Sequence, residues 1–257
     1  MTSDPQPEPT TGPHGSAGSN ASGEAPDPPA LVRVERRGPV GVIHLDDGRA
    51  NALGPPMLAA IEAAFDEIEA DPELAAIVVV GRPGRFSAGF DLNLIRSGDT
   101  DAVKAMVRRG GDLVMRCYGP GLPVVAACTG HALAAGALLL LGCDVRVGPD
   151  TTGPEAPKIG LNEVAIGLTL PPWALAIAKE RLNPLHAQRA VVNGHLADGP
   201  TAVAMGYLDL AVPANEVVER AVYEATVLAA LDRDAYTATV TAFRGPVLEA
   251  MDHRSGS

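Results

Sequence analysis

The sequence contains few cysteines, few aromatic residues and no excess of positive charge. Three cysteines occur in 257 residues, without a CxxC pair or a His-Cys cluster at metal-ligand spacing. They predict no metal site and indicate reduced thiols. Lysine and arginine total 20 against 31 acidic residues, a formal charge of -11. Because general nucleic-acid binders usually carry a basic excess, we predict no nucleic-acid partner.

Long apolar runs and nucleotide-binding signatures are also missing. No segment reaches the roughly 18 uninterrupted apolar residues of a membrane span, and the N-terminus lacks a basic region followed by an apolar run. The patterns GxGxxG, GxxxxGK[ST] and GxSxG do not occur, which disfavours dinucleotide-binding, P-loop and serine-hydrolase functions. We therefore predict a cytoplasmic protein without a membrane span.

Composition divides the chain into three parts. Residues 1–30 are rich in Pro, Gly, Ser and Thr and contain no lysine, arginine or aromatic residue, which is typical of a disordered tail. We predict a β/α core with the active site at 31–195. We predict a helical C-terminal region at 196–257, with a last helix over Asp234–Met251.

Apolar patterning within the core predicts alternating strands and helices. "LVRVE" and "VGVIHL" predict a hairpin, and "AAIVVVG" at 75–81 predicts a strand covered on both faces. Helices are predicted after Pro55 and at 101–118, and a further strand at 123–130. Strands alternating with helices imply an α/β fold with a mostly parallel sheet.

Two loops of small residues follow predicted strands, at 85–92 ("RFSAGFDL") and 129–138 ("TGHALAAGAL"). Such loops let a ligand approach the backbone, and a helix starting within 130–147 would offer unsatisfied N–H groups. Two amides from separate loops are the arrangement that holds a developing oxyanion. The alternative for the second loop is a buried helix packed tightly on a strand.

Three segments together resemble the crotonase, or enoyl-CoA hydratase/isomerase, superfamily. They are "RANAL" at 49–53, "FSAGFDL" at 86–92 and "GHALAAGALLLLGCD" at 130–144, and "VNGHLADGPTAVAMGYLDLAVP" at 192–213 adds to them. The resemblance implies a spiral of ββα units with a helical trimerisation region. It also implies an acyl-CoA thioester substrate, no separate cofactor, and a homotrimer or dimer of trimers.

The resemblance also implies residue roles. The backbone N–H groups of Phe90 and Ala135 correspond to the two donors that bind the thioester oxygen. A second group corresponds to the surroundings of coenzyme A: Arg49, Ala50, Ala52, Ala88 and Gly89. Arg49 could equally be a solvated surface residue.

A single carboxylate stands where the family has its later catalytic glutamate. "IGLNEVAIGLTLPPWA" at 159–174 places Glu163 among apolar residues, which predicts a raised pKa suited to a general base. Leu138 occupies the position of the hydratases' first glutamate. One base with an oxyanion hole predicts a shift of a double bond from 3-enoyl-CoA to 2-trans-enoyl-CoA, and the segment most resembles mitochondrial-type Δ3,Δ2-enoyl-CoA isomerases.

Two other functions stay open from the sequence. One is a hydratase or related lyase whose second carboxylate comes from Glu155 or from a mobile helix. The other is a catalytically weak acyl-CoA-binding protein. His131 is predicted to pack, Asp144 to be structural, and Trp173 either to line the acyl tunnel or to fill the core.

Overall fold

The computed structural model of the protein describes residues 1–2 and 30–252. The predicted disordered tail falls almost wholly on residues 3–29, outside the described residues. The strands are β1 (Val32–Arg37), β2 (Val40–Leu45), β3 (Ala52–Leu53), β4 (Ala76–Val80), β5 (Gly84–Ser87), β6 (Gly89–Phe90), β7 (Val124–Ala127), β8 (Gly130–Leu133), β9 (Val145–Pro149), β10 (Ile159–Gly160) and β11 (Leu210–Val212). The helices are α1 (Pro55–Ala70), α2 (Leu92–Arg96), α3 (Thr100–Tyr118), α4 (Ala135–Gly142), α5 (Pro172–Arg181), α6 (Pro184–Val191), α7 (Gly199–Met205), α8 (Val217–Ala229) and α9 (Arg233–Met251).

A six-stranded sheet in the order β1-β2-β4-β7-β9-β11 forms the centre of the fold. Strands β1 and β2 pair antiparallel, as the hairpin prediction requires, and the other neighbouring pairs are parallel. The α/β prediction is therefore confirmed. Parallel neighbours need crossover connections, and this directs the loops that follow β4 and β7 to the same edge of the sheet.

Strand β4 shows why the sheet is apolar on both faces. All five of its residues are buried. Ile77 and Val79 contact the larger core cluster, which includes α1, α3 and α4, whereas Val78 and Val80 contact a second cluster that α8 covers. Because successive side chains of a strand point to opposite faces, a strand between two helical layers is apolar throughout.

Two smaller sheets position the small-residue loops. Strands β10, β8 and β5 form a parallel three-stranded sheet, and β3 pairs with β6. The segment that begins at Gly130 is thus a strand over its first four residues, and the helix begins only at Ala135. A helix thus begins within 130–147, as the sequence suggested, but only after a strand that forms because two partner strands, distant in sequence, pair with this backbone.

The C-terminal helices pack back on the core of their own chain. Helix α9 contacts α5 and α3, and its Arg244 Nη2 donates to Asp144 Oδ1 at 2.6 Å. No helix within the described residues is long and apolar enough to cross a membrane.

Candidate active site

The two predicted oxyanion loops are in contact with each other. Gly89 has φ +85°, and a Cβ on it would lie 2.8 Å from the Leu133 carbonyl oxygen and 3.0 Å from the Ala135 nitrogen. A Cβ on Gly136 would lie 2.5 Å from the Ser87 carbonyl oxygen. Only glycine permits such approaches, so the backbone beside Phe90 is held directly against the backbone of Ala135.

The second loop turns into α4 through a strained residue. Ala134 has φ +50° and ψ -123°, a backbone conformation that residues other than glycine rarely adopt. Its N–H donates to the Gly160 carbonyl at 3.0 Å, which fixes the turn. Ala135 is the first residue of α4, so its N–H has no acceptor within the helix and lies at the positive end of the helix dipole.

Two side chains whose roles the sequence does not reveal, Asn51 and Ser87, hold the first loop in place. Asn51 is fully buried with φ +53°, and its side-chain amide donates to the carbonyls of Leu45 and Phe86 at 3.0 and 3.1 Å. Ser87 Oγ donates to the Asn51 carbonyl at 2.7 Å. An asparagine among small residues, at a point where the chain must turn, is the available signal, because asparagine tolerates positive φ.

Glu163 is a buried carboxylate with an unused oxygen. It precedes a 3-10 turn at Val164–Ile166 and is 7% exposed. Its Oε2 is buried and has no hydrogen-bond partner among the described residues. Burial raises the pKa of Glu163 from 4.5 to about 7, since desolvation penalises the charged form. The upward shift of the Glu163 pKa agrees with the prediction from its apolar neighbours in the sequence.

The position of the hydratases' first glutamate carries no acid. Leu138 lies on α4 one turn after Ala135 and is 1% exposed within the core. Glu155, the alternative second carboxylate, is exposed in the turn that precedes β10.

The residues predicted to surround coenzyme A lie together. Arg49, Ala50 and Ala52 line one cavity of about 330 Å³. Ala88 N–H donates to the Ala50 carbonyl at 2.9 Å, and Gly89 pairs with Ala52 between β6 and β3. This cavity therefore adjoins the first oxyanion loop. The Arg49 side chain is exposed.

His131 and Asp91 have local hydrogen bonds. His131 lies on β8, and its Nδ1 accepts from the Lys158 N–H at 2.8 Å. Asp91 Oδ1 accepts from the Asn93 N–H at 2.8 Å and caps α2. Both side chains thus fix the backbone near the site.

Comparisons with known proteins identify the family of the chain. The family model described as "Enoyl-CoA hydratase/isomerase" matches residues 35–253. A putative enoyl-CoA hydratase of Thermus thermophilus is 32% identical over 74% of each chain. The mitochondrial enoyl-CoA delta isomerase 1 of Mus musculus is 30% identical over 74% of this chain and 66% of its own length.

A solved structure gives the same result for the fold. The apo enoyl-CoA isomerase of Mycobacterium tuberculosis superimposes with a TM-score of 0.80 at 39% identity, covering 86% of this chain and 94% of that one. The predicted crotonase-like fold is thereby confirmed. With its two interlocked small-residue loops and its buried glutamate, the chain belongs to the enoyl-CoA hydratase/isomerase, or crotonase, family.

Proposed function

We propose that the protein is an enoyl-CoA isomerase that moves a double bond from C3 to C2 of an acyl-CoA thioester, with Glu163 as the only acid/base. One observation carries this proposal. Glu163 is buried with a free oxygen, while the position of a second carboxylate is filled by the buried Leu138. A hydratase needs two groups to orient and activate water, whereas a double-bond shift needs one group that takes a proton and returns it.

The proposed mechanism uses two parts of the site, the Glu163 carboxylate and the pair of backbone amides. The Glu163 carboxylate removes a proton from C2 of the 3-enoyl thioester, and the electron pair moves onto the thioester oxygen to give a dienolate. The amides of Phe90 and Ala135 donate to that oxygen. Protonated Glu163 then delivers the same proton to C4, the C2–C3 double bond forms, and the carboxylate is restored.

The charge-stabilising amides and the raised pKa of Glu163 both favour this cycle. Fixed donors aimed at the developing oxyanion stabilise the transition state, and one such donor typically contributes about 3 to 4 kcal/mol. A Glu163 pKa of about 7 leaves the carboxylate partly ionised near neutral pH and still basic enough to return a proton. No cofactor takes part, because coenzyme A enters as part of the substrate.

Binding of the coenzyme A portion is assigned to the cavity beside the first loop. Backbone groups of Ala50, Ala52, Ala88 and Gly89 would contact the adenine and pantetheine, and the exposed Arg49 guanidinium would pair with phosphate.

We further propose a homotrimer or dimer of trimers. Large apolar side chains exposed on this chain, such as Leu185 at 90% and Val192 at 60%, are suited to an interface.

The names of the relatives support a second candidate. Hydratases and isomerases both occur among them, and the same M. tuberculosis protein is called an isomerase in one solved structure and a probable hydratase in another. A hydratase would require a second carboxylate beside Glu163, and the candidate for that role is Glu155. A weak acyl-CoA binder would retain the pocket with little turnover.

The test is a pair of assays on the purified chain, one with hex-3-enoyl-CoA for double-bond migration and one with hex-2-enoyl-CoA for water addition. We expect migration without hydration. Glu163→Gln should slow migration by about 10²–10⁴-fold, whereas Glu67→Gln, which alters an exposed glutamate of α1, should not. Substantial hydration would favour the hydratase, and binding without turnover of either substrate would favour the weak binder.

A further inference from the structure

Two aromatic rings beside the site rest on a pair of glycines in α3. A Cβ on Gly110 would lie 2.4 Å from Cε1 and 2.5 Å from Cζ of Phe90. A Cβ on Gly111 would lie 3.0 Å from Cε2 of Trp173. The rings therefore occupy volume that side chains of α3 would otherwise fill.

Both rings belong to residues close to the proposed reacting groups. The backbone N–H of Phe90 is one of the two proposed oxyanion donors, so its side chain extends from the oxyanion hole itself. Trp173 lies in the first turn of α5, ten residues after Glu163 in the sequence. Phe90 is half-buried and packs against the core, whereas Trp173 is 4% exposed within it.

The reaction geometry restricts where the acyl tail can run. Because the Phe90 ring starts at one proposed oxyanion donor and both rings contact α3, the proposed path of the carbons beyond C4 leads toward α3, α4 and α5. Helix α4 packs on both α3 and α5. Met106 and Leu113 of α3 and Leu138 of α4 are buried in the same core cluster as Trp173. Protein cores are close-packed, so little volume remains for a tail.

We propose that Phe90 and Trp173 close the acyl site shortly beyond C4, and that the enzyme takes short-chain 3-enoyl-CoA thioesters. The proposal rests on the proposed isomerase function and names the substrate class of that site. In an open apolar tunnel, each added methylene strengthens binding. In a closed site, each added methylene must displace a ring or a core side chain, so affinity falls as the chain lengthens.

Calorimetric binding of saturated acyl-CoA thioesters to the full chain tests the site without relying on turnover. We expect hexanoyl-CoA to bind at least about tenfold more tightly than dodecanoyl-CoA. Phe90→Ala keeps the backbone N–H but removes the ring, and we expect it to reduce this preference by about tenfold. Phe243→Ala is the matched control, because that ring is 76% exposed on α9, and it should leave the preference unchanged.

Phe90→Leu and Trp173→Leu provide further variants should Phe90→Ala fold poorly, and each should also reduce the preference. Tighter binding of dodecanoyl-CoA by the parent protein would overturn the proposal, as would a preference that all three ring variants leave unchanged. A preference for short chains without migration of hex-3-enoyl-CoA would uphold the closed acyl site and overturn the isomerase function. The two proposals can therefore fail separately.

Discussion

Two carboxylates whose side chains have little exposed surface, Asp144 and Glu163, have opposite surroundings. Asp144 Oδ1 accepts hydrogen bonds from Arg244 at 2.6 Å and from Tyr236 at 3.0 Å, and Oδ2 accepts from the Val124 N–H at 2.8 Å. Glu163 is buried, yet its Oε2 has no partner among the described residues. A carboxylate with hydrogen bonds to both oxygens anchors structure, whereas one with a free oxygen is available for proton transfer.

Neutralising each carboxylate in turn distinguishes the role of Glu163 from that of Asp144 with the largest expected effect. Glu163→Gln should lower kcat/KM for 3-enoyl-CoA by about 10²–10⁴-fold, because general acid-base catalysis contributes a factor of this size. Unfolding in urea should show no loss of stability at pH 8, since the amide removes a buried charge. Activity near the parent level in Glu163→Gln would end its assignment as the base.

The corresponding change at Asp144 should act on stability instead. Asp144→Asn leaves the Arg244 guanidinium, whose side chain is 12% exposed, without its counter-ion. Removing one partner of a buried ion pair typically costs about 3 to 5 kcal/mol, which we expect to see in urea unfolding. Asp66→Asn is the control, because Asp66 is 70% exposed in its pair with Arg116 and should cost less than about 1 kcal/mol. Equal losses at both aspartates would contradict the anchoring role.

The pH dependence should come from Glu163. Its pKa is raised from 4.5 to about 7, so kcat/KM should rise with pH through about 7 as the carboxylate ionises. Because the folded state holds this proton more tightly, the stability contributed by Glu163 is fully present below pH 4.5 and is lost as pH rises through about 7. The free energy of unfolding that Glu163 contributes therefore differs by about 3 kcal/mol between these two pH ranges.

Urea unfolding of the parent and of Glu163→Gln at pH 4.5, 6 and 8 measures this effect. The stability of the variant relative to the parent should increase with pH across that range. A constant difference would mean that Glu163 titrates near its ordinary pKa when folded.

The smallest expected effect concerns one donor to Asp144. Tyr236→Phe removes the hydroxyl but leaves Arg244 in place, so it should cost about 1 kcal/mol of unfolding free energy. Tyr223→Phe removes a hydroxyl from a residue that is 61% exposed and should change stability by less than about 0.5 kcal/mol. A loss at Tyr236 as large as that of Asp144→Asn would show that the network acts as one unit.

Elements with regular apolar patterns could be predicted from the sequence. The hairpin, β4 and α3 occur within one or two residues of their predicted bounds, because periodicity and β-branched content are local signals. The short strands β3, β6 and β10 have two residues each and form only because distant segments meet them. For the same reason, strand β8 over Gly130–Leu133, which precedes the start of α4 at Ala135, was not predicted.

The site shows a similar division. The position of Glu163 in an apolar segment predicted its burial and the direction of its pKa shift. The support that Asn51 and Ser87 give to the first loop was missed, because the carbonyls they contact come from other segments of the chain. The seating of Phe90 and Trp173 on Gly110 and Gly111 was missed likewise, since only the packing of α3 shows why those glycines are required.

The glycine contacts between the two loops also bear on how such a protein changes its chemistry over time. The proposed donors are backbone groups, and Gly89 and Gly136 leave no room for a side chain between the loops. Side-chain substitutions that spare the supports of the loops, such as Asn51 and Ser87, leave these donors in place. An exchange at Leu138 would instead change the number of acids at the proposed site. A new reaction could therefore arise on this scaffold while the proposed stabilisation of the enolate is retained.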